Sequence, residues 1–503
     1  MSKKHLKNKK TFFGRPVWRN SIKTIRVEPL RYYSPENLEQ VMEAVQEGID
    51  KGLTVRAVGS GHSFSPAPKA EGILIETDHL EKIEPYKFTS EEGFFEVEGG
   101  IKLEHLNESL DKLGYCIPTM GGIDHQSVAG AISTGTHGSS MEFGAMANMV
   151  HSIVLVTQDL EDHNKAKVYR IERSEGSHLT KDATYDGPEL LLDDDFFNTA
   201  LVCFGSMGII YSYVLKVEKM YKLLERKEVC HWAKAKEGLR DGSLLENHRS
   251  IFVQINPYKY KDTNLALIVY HDLYSKDDTS EAVQQVKHKL WDRIKRMTRS
   301  FQFELASIVP YFLWFVIWRI NKWPGYIPKF IHNAVKSQKD DEYINKGYKV
   351  MYQGLDYIKE RAYDCEIAIP LDKEGKYLEK IELLMAYLEE LHKEYKIHIT
   401  SPIGLRFVKA SEIFLTPENR QDVCYIDTPI LKHIYGRNTL ISQLLVFLVA
   451  QGGRPHWGKI NHAIDETFTR NSYQDFDRFL TVVKKFNPIG VFSNSFTKRV
   501  IGY

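Results

Sequence analysis

The chain has 503 residues, 43% of them hydrophobic, with 67 Lys plus Arg against 66 Asp plus Glu. That length exceeds a single core and predicts two or three domains, and the balanced charge leaves no global field to recruit nucleic acid. The cysteines (Cys116, Cys203, Cys230, Cys365, Cys424) are odd in number and lack Cys-x-x-Cys spacing, which argues against a disulfide framework and a structural zinc and points to a reducing, cytoplasmic setting.

Residues 1–10 are basic without the apolar core of a signal peptide, so residues 1–20 read as a tail. Residues 34–48 predict a packing helix, with Ser34 as N-cap, Pro35 at the first helical position and Leu38, Val41, Met42 and Val45 at helical spacing. It leads into residues 54–66, where a β-branched strand (Val55, Ala57, Val58) meets the turn Gly59-Ser60-Gly61. Without Cβ atoms, consecutive N–H groups there can point at one anion, and a pyrophosphate fits such a turn. His62 then holds an imidazole beside the bound phosphates.

Residues 72–77 and 94–98 read as strands and 102–113 as a helix. Small residues and hydroxyls return over 121–140, and a third glycine turn comes at 204–210 between strands at 150–157 and 210–217. Such a density of Gly, Ser and Thr suits close backbone approach to a large polar ligand. Beyond residue 218 glycine thins out and alternating strands appear at 250–255 and 265–270. Residues 305–318 form the most apolar run, shorter than the roughly 20 residues that span a bilayer. It is either a buried helix pair or, with Trp314, Trp318, Trp323 and flanking Arg and Lys, a peripheral membrane contact through residues 305–323. Residues 377–395 and 440–451 show helical periodicity and read as structure.

The three glycine-rich stretches, in this order, with Gly452-Gly-Arg-Pro-His-Trp-Gly-Lys459 and Asn487-Pro-Ile-Gly-Val-Phe-Ser-Asn-Ser495, resemble the flavin enzymes of the vanillyl-alcohol oxidase type and among them the aldonolactone oxidases. The resemblance implies an α+β fold. It has a two-subdomain PCMH-type FAD-binding domain at 21–218, which Trp18-Arg19-Asn20 opens, an α+β cap with an antiparallel sheet at 219–453, and a segment at 454–503 returning to the flavin domain. FAD is the implied cofactor, bonded through His62 to the flavin 8α-methyl carbon. The residues expected to hold it are Arg56, Val58, Gly59, Ser60, Gly61, His62, Ser63, Ser127, Gly130, Ser133, Gly135, Thr136, His137, Gly138, Gly208, Ile209, Ile210 and Asn494.

Flavin alcohol oxidation needs a group for the hydroxyl proton and positive charge for the reduced flavin. The family places a Glu-x-Arg pair on a cap strand and a lysine after His-Trp. Here Arg406 and Lys459 match, but Gly404 stands at the glutamate's place, and a glycine can neither position a hydroxyl nor receive a proton. His456 is a candidate for the missing base, with a hydrogen-bonded packing role as its other reading; Glu366 also could approach the pocket. No metal is indicated, because His125, His137 and His456 lack ligand spacing on one element. Three functions follow: oxidation of an aldonolactone or polyol with oxygen or another acceptor, oxidation of a more apolar alcohol, or flavin binding without turnover.

Overall fold

The computed structural model describes residues 16–179, 185–275, 310–338, 342–353 and 362–503; the basic segment 1–10 and residues 305–309 of the apolar run lie outside them. Two larger sheets organise the N-terminal region. The first is parallel, from β1 (Arg31–Tyr33), β2 (Val55–Val58) and β3 (Ile73–Glu76) in the order β1-β3-β2. Helix α1 (Leu38–Lys51) joins β1 to β2 and buries Val41, Ala44, Val45 and Ile49. Its N-cap is Asn37, not the expected Ser34: the Asn37 side chain accepts from Gln40 N–H at 3.1 Å, so Pro35 and Glu36 stay outside the helix. Gly52 closes it in the left-handed region at φ 59°.

The second sheet has six strands, β4 (Ile83–Pro85), β5 (Phe94–Glu98), β6 (Val150–Gln158), β7 (Ala166–Glu172), β8 (Glu189–Leu192) and β9 (Ile209–Lys216), in the order β8-β7-β6-β9-β5-β4. Between its strands run α2 (Leu103–Leu113) and α3 (Val128–Ser133). The residues expected to be a free tail are packed at their end: Trp18 and Asn20 are buried, and Asn20 Nδ2 donates to Ser63 O at 3.0 Å.

An eight-stranded antiparallel sheet builds the cap from β10 (Lys222–His231), β11 (Ser250–Ile255), β12 (Leu265–Leu273), β13 (Glu342–Lys346), β14 (Glu366–Pro370), β15 (Ile403–Val408), β16 (Val423–Asp427) and β17 (Arg454–Pro455), in the order β13-β10-β12-β11-β15-β16-β14-β17. Alternation gives it two faces. Ile251, Val253, Ile268, Ile367, Leu405, Phe407, Cys424 and Ile426 face a core shared with α6 (Lys376–Tyr395) and α7 (Arg437–Ala450). The other face turns toward the glycine-rich loops. Because β17 still pairs with β14, the chain is in the cap sheet at Arg454, where it was expected to have returned to the flavin domain.

The described part of the apolar run forms α4 (Pro310–Lys322), followed by α5 (Ile327–Lys336). Proline suits the first helical turn, where its missing N–H costs nothing. Ile317 and Ile320 pack inward while Phe315, Trp318 and Trp323 are each 49% exposed. Among the described residues no helix is long and apolar enough to cross a membrane.

Candidate active site

Between the glycine-rich loops and the inner face of the cap sheet lies a cavity of about 1010 Å³. Glycine makes its floor. A Cβ on Gly59 would lie 1.9 Å from Ser127 Oγ, so only a bare Cα lets the first loop meet the start of α3. Gly61 takes φ +72°, and a Cβ there would sit 2.9 Å from Trp18. Ser60 Oγ and Thr136 Oγ1 are buried without a hydrogen-bond partner among the described residues, although both residues line the cavity. Buried hydroxyls are costly when unpaired. A cradle of bare Cα atoms with orphaned hydroxyls fits a phosphate-bearing cofactor.

Of the residues expected at the cofactor, Arg56, Val58, Gly59, Ser60, Gly61, His62, Ser63, Ser127, Gly130, Ser133, Thr136, His137, Gly208 and Ile210 line this cavity. Four do not. Ile209 is buried in the core beneath, on strand β9 opposite Val156. Gly135 faces Pro417, and a Cβ on Gly138 would lie 2.7 Å from both Met120 O and Thr119 Oγ1. Asn494 caps α8 (Ser495–Ile501) through a capping box, and its Nδ2 donates to Ala67 O at 2.8 Å and Lys69 O at 2.9 Å. Its donors are spent on holding the chain end against the first loop. Arg56 is likewise committed, to backbone carbonyls of three loops.

The reactive end is assembled across the sheet. Ser63 Oγ and Phe64 N–H donate to Gly458 O at 3.1 and 2.7 Å, bringing the loop of His62 to that of Lys459. Lys459 Nζ pairs with Asp364 and, at 3.4 Å, with Glu366 Oε2. Glu366 Oε1 lies 3.4 Å from His137 Nε2, and the His137 ring stacks on Tyr425 with centroids 3.5 Å apart. Burial opposes ionisation of Glu366, but the charge of Lys459 and the neighbouring His137 outweigh it and hold its carboxyl well below the usual range. Burial also opposes the Lys459 charge, and the charges of Asp364 and Glu366 more than restore it, raising its pKa. Arg406 lies over the Phe252 ring at 4.7 Å and donates from Nη2 to Gln353 Oε1 at 2.9 Å.

His456 is placed against the role of base. Its Nδ1 accepts from Gly458 N–H at 3.0 Å, which puts the neutral ring's proton on Nε2, and burial pushes its pKa down to about 3. It remains a neutral donor. Ligand atoms of His137, Glu366 and His456 do converge within 4.8 Å, as do those of Asp364, Glu366 and Asp427, a convergence that linear spacing did not reveal. In the first trio the His456 lone pair is taken by Gly458; in the second the cation is Lys459.

Reasoning along the chain missed Gln353, Asp364 and Asp427, and also Glu225, Lys227 and His271 at the far end of the cap face. All line the cavity. Alternation in β10 and β12 was the available signal for the last three, but which face meets the loops depends on strand pairing. Burial opposes the Glu225 charge, and His271, with Oε2 to Nε2 at 3.2 Å, and Lys227 bring its pKa down to about 2.

A two-subdomain cradle under an antiparallel cap defines an FAD-linked oxidoreductase of the PCMH type. Two solved cholesterol oxidases share the fold: that of Brevibacterium sterolicum as a His121Ala mutant, at a TM-score of 0.71 and 11% identity over 97% of both chains, and a solvent-stable one at 0.72 and 13% over 96% of this chain and 97% of that one. The FAD binding domain family matches residues 29–160 and the D-arabinono-1,4-lactone oxidase family residues 274–500. L-gulonolactone oxidase of Mus musculus is 25% identical over 499 residues, covering 96% of this chain and 98% of its own. L-gulono-1,4-lactone dehydrogenase of Mycobacterium tuberculosis is 24% identical over 490 residues, covering 97% and 99%. D-arabinono-1,4-lactone oxidase of Kluyveromyces lactis is 31% identical over 218 residues, which cover 43% of this chain and 37% of its own. Along nearly its whole length the chain is similar to FAD-dependent aldonolactone oxidases and dehydrogenases.

Proposed function

We propose that the chain oxidises a carbinol carbon of a sugar-derived 1,4-lactone, with FAD tethered through His62. Bound FAD supplies the hydride-accepting ring. The backbone N–H groups that Gly59 and Gly61 leave accessible and the hydroxyls of Ser60 and Thr136 would hold its phosphates, Arg406 would orient substrate oxygens, and Lys459 would provide positive charge toward the ring. The observation that carries the substrate class is the polarity of the cap's inner face, where Glu225, Lys227, Gln254, His271 and Arg406 all line the cavity. Burying a sterol-like alcohol against that many polar groups strips them of water with nothing in return. A polyhydroxylated lactone can return hydrogen bonds to such groups.

Anaerobic bleaching of the flavin on mixing with L-gulono-1,4-lactone, D-arabinono-1,4-lactone, alditols and sterols tests this reading. Lactones should bleach it fastest. Bleaching by sterols alone would transfer the chain to the apolar-alcohol reading, and bleaching by none would leave flavin binding without turnover. Reoxidation in air against reoxidation only by an added quinone distinguishes an oxygen-using enzyme from a dehydrogenase.

A second reading concerns where the protein works. Phe315, Trp318 and Trp323 stand half exposed, with Lys322 Nζ 5.1 and 4.9 Å from the Trp318 and Trp323 ring centres, a pairing suited to the headgroup layer of a membrane. Sedimentation with anionic liposomes that survives a high-salt wash supports it, and protein left wholly in the supernatant removes it.

A further inference from the structure

Granting the aldonolactone reading above, we propose that Asp427 on β16 supplies the carboxyl that Gly404 on β15 cannot, and that it holds the hydroxyl being oxidised. The two residues face each other directly in the antiparallel register, and partners so paired project to the same side of a sheet. A Cβ built on Gly404 would lie 3.3 Å from the Cβ of Asp427. Both line the cavity, as does Arg406 two residues further along the Gly404 strand. The acid has moved sideways by one strand while the arginine has kept its place.

The other carboxyls nearby are engaged. Glu366 gives one oxygen to His137 and the other to Lys459, and Asp364 is paired with Lys459. Asp427 Oδ1 has no hydrogen-bond partner among the described residues; the same holds for Asp364 Oδ1, but the other oxygen of Asp364 is held by Lys459. Burial, and then the negative charge of Asp364, push the Asp427 carboxyl well above its usual range. A neutral carboxyl both donates and accepts, so one group can take the two hydrogen-bonding sites of a substrate hydroxyl. The glycine at 404 is itself part of the arrangement, since a side chain there would press on the Phe252 ring, 3.1 Å from the built Cβ, as well as on Asp427.

The test uses the flavin-loaded wild type, Asp427→Ala and the double variant Gly404→Glu with Asp427→Gly, which vacates the Cβ that a side chain at 404 would press on, with L-gulono-1,4-lactone and D-arabinono-1,4-lactone as probes. Asp427→Ala should lower kcat/KM by about ten- to a hundredfold, the worth of a hydrogen bond to a strongly polar group, with the flavin still bound. Restoring a carboxyl from position 404 should recover most of that loss. A readout without turnover accompanies it: on adding lactone to the dithionite-reduced protein, the carboxylic-acid C=O stretch in the infrared difference spectrum should shift in wild type and be missing in Asp427→Ala. Unchanged kinetics in Asp427→Ala, no recovery in a folded, flavin-bearing double variant, or a band that ignores lactone would each overturn the assignment. If neither lactone bleaches the wild type, the aldonolactone reading falls and takes this assignment with it; bleaching that survives Asp427→Ala intact removes the assignment alone.

Discussion

Arg56 Nη1 donates to the carbonyl oxygen of Phe492 across 2.7 Å, joining residues 436 positions apart. The same guanidinium donates to Ala67 O at 2.7 Å, Gly205 O at 2.9 Å and Phe204 O. Loops that would otherwise bury unpaired carbonyls therefore close on one cation. Burial lowers its pKa to about 10, which leaves it charged at neutral pH. Arg56→Lys should destabilise the fold by about 3 kcal/mol or more, because one ammonium cannot reach carbonyls on several sides. Thermal unfolding checks this, and a melting temperature equal to wild type would contradict it.

Gly59→Ala places a methyl where Ser127 Oγ now sits. The first and second glycine-rich loops must then part, and flavin content, read from the ratio of visible to ultraviolet absorbance, should fall. Ser127→Gly in the same chain removes the obstructing hydroxymethyl and should restore part of it.

Acid-precipitated wild type should stay yellow if His62 carries the flavin. His62→Ala should release FAD to the supernatant on precipitation while still binding it in the folded state, since the turn beside it is unchanged. A colourless wild-type pellet would refute the covalent bond and leave the cofactor itself untouched.

Lys459→Met removes the cation shared by Asp364 and Glu366. Leaving buried carboxylates uncompensated costs about 3–5 kcal/mol, so the variant should melt earlier at neutral pH and regain part of the difference as acid neutralises the carboxyls. Its rate of flavin reduction by lactone should fall with it. Lys459→Arg, which keeps the charge, should recover stability more fully than activity, because the bulkier fork misplaces that charge.

The folded-state pKa of His456, about 3, lies below its ordinary 6.5. The unfolded chain therefore binds the proton more readily, so this stability is complete above about pH 6.5 and drains as the pH falls toward 3. The loss reaches on the order of 2 kcal/mol by about pH 5. His456→Gln should flatten that part of the stability profile measured by urea unfolding; an unaltered slope would show that another group governs it.

The sequence by itself determined the elements and the cradle. Gly59 and Gly61 were legible because the need for an absent Cβ is a local property, and the helices and strands because apolar spacing repeats along one stretch of chain. What each side chain meets across the sheet belonged to the tertiary structure. Asn494 reads as a polar residue in a familiar motif until its amide is seen on Ala67 and Lys69, and His456 as a base until Gly458 takes its lone pair. Gly404 reads as a lost carboxylate until pairing sets Asp427 beside it. Register and burial arise between segments distant in sequence, and a one-residue slip would turn Asp427 to the opposite face, so no local pattern could announce them.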